Sequence, residues 1–202
     1  MSRMQALDTS AYFDQRRNMY RRFWEAAVPY TDFVALASAE DRKLWDAMHA
    51  RVAPTPNHAT FLAGFTRQTR VLVTAATWSC DCIQQVPILA RLAEASPAIQ
   101  LRVLDRESHP ELRDEVRLCG AARVPVAIFL TEDFFECSRM GDRTLSTYRS
   151  LARKELGSDC RTGDPLLQED EILATQQDWL NELERVQLMM RLSPYLRERY
   201  GD

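Results

Sequence analysis

The 202-residue chain lacks the features that mark membrane-spanning and nucleic-acid-binding proteins. Its longest apolar run, residues 71–76, is interrupted by Thr74 and is far too short to cross a bilayer. Its 26 basic and 29 acidic residues give a net charge of −3, which excludes a general polyanion-binding surface and a polybasic membrane anchor. We therefore expect no nucleic-acid partner and no membrane attachment.

Cysteine and histidine are also scarce. The five cysteines are an odd number and too sparse for a disulfide scaffold, so in a reducing compartment they serve as buried apolar residues, metal ligands or redox groups. Residues 1–10 lack the apolar core of a secretory signal, which predicts a cytoplasmic protein. The chain has no phosphate-binding glycine loop, no Gly-x-Ser-x-Gly elbow and no His-Glu-x-x-His motif. The cysteines are therefore the remaining candidates for catalytic or binding residues.

The first third of the chain has the periodicity of helices. Aromatic residues recur at three- and four-residue steps over residues 12–24, following Thr9 and Ser10 as candidate caps. A second helix is predicted from about residue 38 to residue 52, and the two prolines within residues 54–57 indicate a break.

The tail, residues 165–192, is predicted to form one long amphipathic helix. Its apolar face either packs on the sheet of the same chain or pairs with a second copy, so a dimer through this helix is one expectation. That face comprises Ile172, Leu173, Trp179, Leu180, Leu183, Val186 and Met190.

The middle of the chain alternates between strand and helix patterns. Strand–helix–strand units require a parallel pair of strands, whereas the two later strands are close enough in sequence to form a hairpin. The order predicts an α/β fold, a central mixed sheet flanked by helices, with helical additions at both ends. Strands are predicted at residues 70–74, 99–104, 124–130 and 134–140, and helices at residues 80–94, 109–119 and 144–156.

One stretch, Trp78-Ser79-Cys80-Asp81-Cys82, lies between a predicted buried strand and a helix. Free backbone N–H groups and the positive end of the helix dipole stabilise a thiolate at such a position. Two cysteines one residue apart can close a small, strained and therefore reducible disulfide ring. Asp81 acts in the opposite direction, since a neighbouring carboxylate disfavours the thiolate.

Two other interpretations of these cysteines remain open. They are incidental residues of a turn, or they bind a soft ion such as Cu(I) or Zn(II), with Cys119 as a third ligand. The histidines give no support to a metal site, because none has ligand-like spacing from the cysteines; they are His49, His58 and His109. We predict no metal and no cofactor.

The chain resembles the thioredoxin superfamily at three spaced points. Residues 71–78 resemble the strand that leads to the Trp-Cys-x-x-Cys motif, and Pro87 lies nine residues after Trp78, where the family has its helix-kinking proline. Arg123-Val124-Pro125-Val126 resembles the cis-proline segment that faces the active site. The most similar subgroup is the small bacterial proteins with a Trp-Cys-Gly-Asp-Cys or Trp-Cys-Gly-Asp-Ala motif. Those proteins have a helical N-terminal extension and a Gly-Pro-Arg-Pro segment, which residues 141–144 replace here.

The resemblance implies a thioredoxin-like domain over residues 67–156, with helical extensions at residues 1–66 and 157–202 that form one compact unit with it. It also implies that Ser79 occupies the position of the attacking cysteine and Cys82 that of the resolving cysteine. A serine hydroxyl does not attack disulfides without a strong base. Redox chemistry therefore passes to Cys80, expected to be the more exposed thiol and the attacker, with Cys82 as resolver.

The same resemblance assigns the surroundings of the site. Trp78, Ser79, Val124 and Pro125 are the candidate substrate-binding residues, with Val124 offering backbone N–H and C=O groups. Val73 replaces a buried carboxylate that relays protons in many thioredoxins. For two further residues two places remain open: Arg123 supplies charge to the thiolates or faces solvent, and Cys119 is a buried apolar residue or approaches the site. Cys137 and Cys160 receive no role.

Two functions follow from these residues. The first is a thiol–disulfide oxidoreductase with an atypical Ser-Cys-Asp-Cys site, acting on a protein or small-molecule disulfide or thiol. The second is a non-catalytic binding or adaptor protein, suggested by Ser79 at the attacking position and by Val73.

Overall fold

The computed structural model describes residues 12–156 and 167–201, and within these ranges the chain forms nine helices and four strands. The helices are α1 (Arg17–Ala26), α2 (Tyr30–Val34), α3 (Ala39–Arg51), α4 (Pro56–Ala63), α5 (Cys80–Glu94), α6 (Pro110–Glu115), α7 (Leu145–Leu156), α8 (Glu169–Leu192) and α9 (Pro194–Tyr200). The strands are β1 (Thr69–Ala75), β2 (Ile99–Asp105), β3 (Val126–Leu130) and β4 (Glu136–Gly141).

The four strands form one mixed sheet in the order β2-β1-β3-β4. Strand β1 is parallel to β2, with α5 as the crossover, and antiparallel to β3, while β3 and β4 form the predicted antiparallel hairpin. In the β1–β3 register Thr74 lies opposite Val126. The end of β1 and the start of β3 therefore meet at the same edge of the sheet. The predicted fold, a mixed sheet flanked by helices with helical additions, is confirmed.

The sheet is covered on both faces because its central strands are apolar on both sides. Side chains alternate between faces with a period of two. Accordingly Val71, Val73 and Phe129 pack among residues of α3, α5 and α8, whereas Leu72 and Ile128 pack among residues of α1 and α6. Burial of both faces explains why β1 and β3 are near-continuous apolar runs.

The helical parts differ from prediction where a local signal was misinterpreted. The two-proline segment does not simply break the chain: Thr55 caps α4 by accepting a hydrogen bond from the His58 N–H at 3.2 Å, and Pro56 opens the helix. Helix α6 ends at Glu115 instead of residue 119, and α9 was not predicted. Thr9, Ser10, Cys160 and the predicted boundary at 157–165 lie outside the described residues.

The apolar face of α8 is packed within the protein itself. Six of its seven predicted members are buried in the same core as α5 and the sheet, and only Leu173 is exposed. The structure therefore gives no support to the expected dimer through this face, because the sheet and helices of the same chain already cover the side chains that a partner would need. Among the described residues, no helix is long and apolar enough to cross a membrane.

Candidate active site

Ser79 is the N-cap residue immediately before α5. It is buried, and its hydroxyl accepts a hydrogen bond from the Cys82 N–H at 3.4 Å, as a side chain at a helix N-cap does. The residue at the family's attacking position thus satisfies a backbone donor of the helix start.

The two cysteines of the motif lie in opposite environments. Cys80, the first residue of α5, is exposed, whereas Cys82 is completely buried, and both are free thiols. Successive residues of an α-helix are about 100° apart, so side chains two positions apart point to nearly opposite sides. The prediction that Cys80 is the more exposed thiol is confirmed. A disulfide bond between Cys80 and Cys82 could therefore form only if the first turn of α5 unwound.

Cys82 is held as a neutral thiol by its surroundings. Its Sγ accepts a weak hydrogen bond from the Ala76 N–H at 3.5 Å, and Val73 belongs to the same apolar core. Burial raises the pKa of the Cys82 thiol to about 12 and outweighs the hydrogen bonds from Ala76 and Ser79, which lower it.

The proline segment lies at the same edge of the sheet as the motif. The Val124–Pro125 peptide bond is cis, and Val124 is buried. Trp78 is 58% exposed, and the Arg106 guanidinium lies over its ring at 5.4 Å from the centroid. Arg106 also donates a 2.7 Å hydrogen bond to the Ala122 carbonyl, so it joins Trp78 to the segment that leads to Pro125.

A network of charged residues connects α5 with residues 142–144, the β4–α7 corner. The sequence pattern did not predict this network. Arg143 binds both carboxylate oxygens of Asp81, from Nε at 2.7 Å and from Nη2 at 2.8 Å. Asp142 accepts hydrogen bonds from Arg123 Nη1 at 2.9 Å and from the Tyr148 hydroxyl. Arg123, predicted either to supply charge to the thiolates or to face solvent, is exposed and pairs with the Asp142 carboxylate.

The charge of Asp142 is stabilised by this network. Burial alone would raise the pKa of Asp142, but the hydrogen bonds from Tyr148 and Arg123 outweigh burial and hold the pKa below its ordinary value. The corner is thus built around an ionised carboxylate at neutral pH. A sequence signal did exist, since Asp142 and Thr144 stand where the resembled subgroup has prolines, but it does not identify the partners of Asp142 and Arg143.

The loop before the motif is anchored by Trp45 of α3. Its Nε1–H donates a 2.8 Å hydrogen bond to the Thr77 carbonyl, and the side chain is completely buried. This contact fixes the backbone immediately before Trp78 and Ser79.

We expect Trp45→Phe to reduce the free energy of unfolding by about 1–2 kcal/mol more than Trp179→Phe does, measured by urea denaturation. The first variant leaves the Thr77 carbonyl without its donor. Trp179 is the matched control, because it is equally buried and its N–H has no hydrogen-bond partner within the part of the chain that the structure describes. Equal losses in the two variants would contradict an anchoring role for the Trp45 hydrogen bond.

The remaining described cysteines do not complete a metal site. Cys119 is exposed, contrary to the prediction of a buried residue, because Cys119 and Gly120 both have positive φ and form a tight turn between Leu118 and Ala121. Cys137 is partly buried, which raises the pKa of its thiol to about 12. Within residues 12–156 and 167–201, no three His, Cys, Asp or Glu side chains form a group that could hold a metal ion.

Comparison with known proteins supports a thioredoxin-like fold and gives no information on activity. A family model described as thioredoxin matches residues 27–151, more than half of the chain. The structure is similar to a Pseudomonas aeruginosa protein of unknown function, with a TM-score of 0.65 and 18% identity over 82% of this chain and 96% of that one. It is also similar to an HIV epitope scaffold, with a TM-score of 0.62 and 16% identity over 86% and 98% of the two chains. No curated protein matches the chain.

Proposed function

The chain belongs to the thioredoxin family, and on that premise we propose that it is a thiol–disulfide exchange protein that works through the exposed thiol of Cys80. The observation that carries this proposal is the contrast at the start of α5, where Cys80 is exposed and Cys82 is buried. A reacting thiol must be reachable and able to ionise. Cys80 is reachable, and a helix N-terminus favours the ionised form of a thiol.

The proposed cycle uses one protein thiol and a second thiol from solution. The Cys80 thiolate attacks a mixed disulfide R–S–S–G, where G is a small thiol; a bond forms between Cys80 Sγ and the sulfur of G, and R–S⁻ leaves and takes up a proton. A second G thiolate then attacks the G sulfur of the Cys80–S–S–G bond, which releases the Cys80 thiolate and G–S–S–G. The net reaction converts R–S–S–G and one G thiol into R–SH and G–S–S–G.

This cycle differs from the sequence-based prediction in the role of Cys82. A resolving thiol must reach the sulfur bound to Cys80, but Cys82 points into the core on the other side of the helix. We propose instead that Cys82 is a packing residue. Trp78, Val124 and Pro125 keep their proposed place as the surface on which a substrate docks, and Ser79 holds the helix start beneath it.

We expect Cys80→Ser to abolish exchange, reducing the rate to that of the uncatalysed reaction. The assay uses a peptide carrying a mixed disulfide with a small thiol, an excess of that thiol, and chromatographic measurement of the released peptide thiol. Cys82→Ala and Cys119→Ser are the controls, and both should retain at least about half of the wild-type rate because neither thiol takes part in the cycle. Equal rates for wild type and Cys80→Ser would reject the proposal.

A non-catalytic binding role is the second candidate. It is favoured by the use of Ser79 as a helix cap instead of a nucleophile and by the exposure of Trp78. Under this alternative, Cys80→Ser would leave function intact, whereas Trp78→Ala would remove part of the binding surface. The Cys80→Ser comparison therefore separates the two functions.

A further inference from the structure

The charge next to Cys80 is controlled by a residue outside α5. Asp81 follows Cys80 directly, and an unpaired carboxylate at that position would disfavour the Cys80 thiolate. Arg143 binds both oxygens of this carboxylate, and only about a quarter of each side chain is exposed. A two-pronged arginine–carboxylate pair of this kind is stronger and more directional than an ordinary surface ion pair.

The backbone on both sides of Arg143 is fixed to α5 by one buried side chain. Gln85 donates from Nε2 to the Asp142 carbonyl at 2.8 Å, and its Oε1 accepts from the Thr144 N–H at 3.0 Å. Gln85 is completely buried, so these two bonds are shielded from water. Arg143 is thus placed by a buried residue, Gln85, that lies one helical turn along α5 from Asp81, the carboxylate that Arg143 binds.

The other charged groups at this end of α5 have partners of their own. Asp142 is bound by Arg123 and Tyr148, and Arg106 pairs with Glu107 at 2.6 Å while it covers Trp78. Arg143 also lies 3.9 Å from Asp142, at the limit of an ion pair, but its short contacts are with Asp81. The charge on Asp81 is therefore balanced mainly by Arg143.

We infer that Arg143 is a positioning residue for Cys80, because it neutralises Asp81 and so weakens the repulsion between that carboxylate and a thiolate at Cys80. This inference rests on the proposed role of Cys80 as the reacting thiol. Under this inference the β4–α7 corner directly affects the reactivity of Cys80, although Arg143 is 62 residues along the chain from Asp81.

The test is the rate at which Cys80 reacts with iodoacetamide at neutral pH, measured by peptide mass spectrometry in four variants. Iodoacetamide carries no charge, so the reagent itself adds no attraction or repulsion. We expect Arg143→Gln to slow the reaction about fivefold, since the exposed Asp81 charge acts on the thiolate across a partly screened distance. Asp81→Asn should accelerate it, the double variant should return to within about twofold of wild type, and Arg143→Lys should keep most of the rate.

Two results would overturn the inference. If the double variant reacts as slowly as Arg143→Gln, Arg143 acts through the structure of the corner and not through Asp81. If Asp81→Asn leaves the rate unchanged, the charge on Asp81 has no influence on Cys80, and this arm holds even if Arg143→Gln fails to fold, as checked by circular dichroism. The proposed function fails separately, through the exchange assay, because a Cys80 whose alkylation follows this pattern can still prove dispensable for exchange.

Discussion

In the folded protein, iodoacetamide is expected to modify Cys80 at least about a hundredfold faster than Cys82. Alkylation requires a thiolate that the reagent can reach. Cys80 is exposed, whereas Cys82 is completely buried and burial raises its pKa to about 12, so that at neutral pH nearly all of its thiol is protonated. The measurement is time-resolved alkylation followed by peptide mass spectrometry.

Denaturation supplies the control for this experiment. In concentrated urea the two cysteines should react at similar rates, because the unfolded chain gives both thiols the same access to water. Rapid labelling of Cys82 at neutral pH would contradict its proposed role as a packing residue.

Gly141→Ala is expected to destabilise the protein by about 3 kcal/mol, measured by urea denaturation. Gly141 pairs with Val126 at the end of the hairpin, and an alanine Cβ there would overlap with the Pro125 carbonyl oxygen and lie 3.0 Å from the Val126 Cα. Both are backbone atoms, so the clash cannot be relieved by a rotating side chain. The segment around Pro125 or the β4–α7 corner has to move.

Gly64→Ala is the matched control for that substitution. The Cβ at position 64 would meet only the Phe61 carbonyl oxygen, at 3.2 Å, and the backbone there does not require glycine. We expect a change below about 1 kcal/mol for this variant. Equal stability of Gly141→Ala and wild type would mean that the close approach of the corner to Pro125 is not needed for folding.

The parts of the fold that the sequence predicted best are those with strong local signals. Helix α5 begins at Cys80 and ends at Glu94 as predicted, because a serine cap and a continuous set of apolar side chains define both ends. Strands β1 and β2 were recognisable from their apolar and alternating patterns. Helix α4 was missed because Pro56 was interpreted as a breaker, although proline is equally suited to open a helix.

The pairing of Asp81 with Arg143 could not be predicted from the sequence, for a different reason. Asp81 and Arg143 are 62 residues apart, and their contact exists only because Gln85 holds the β4–α7 corner against α5. A chain with 26 basic and 29 acidic residues offers many alternative pairings, and nothing local in the sequence selects among them. Likewise, Cys119 is exposed because of the positive φ angles of its turn, which its apolar character does not indicate.

The position of the Ser79 side chain relates this site to a conventional dithiol motif. Positions 79 and 82 are three residues apart, so they lie on the same side of the first helical turn, unlike positions 80 and 82. A sulfur in place of the Ser79 hydroxyl oxygen would face Cys82 with the spacing of a conventional dithiol motif, while the strand, the proline segment and the arginine corner stayed as they are. The present centre and a conventional dithiol centre therefore differ by a single atom, and one substitution, Ser79→Cys, would convert the first into the second.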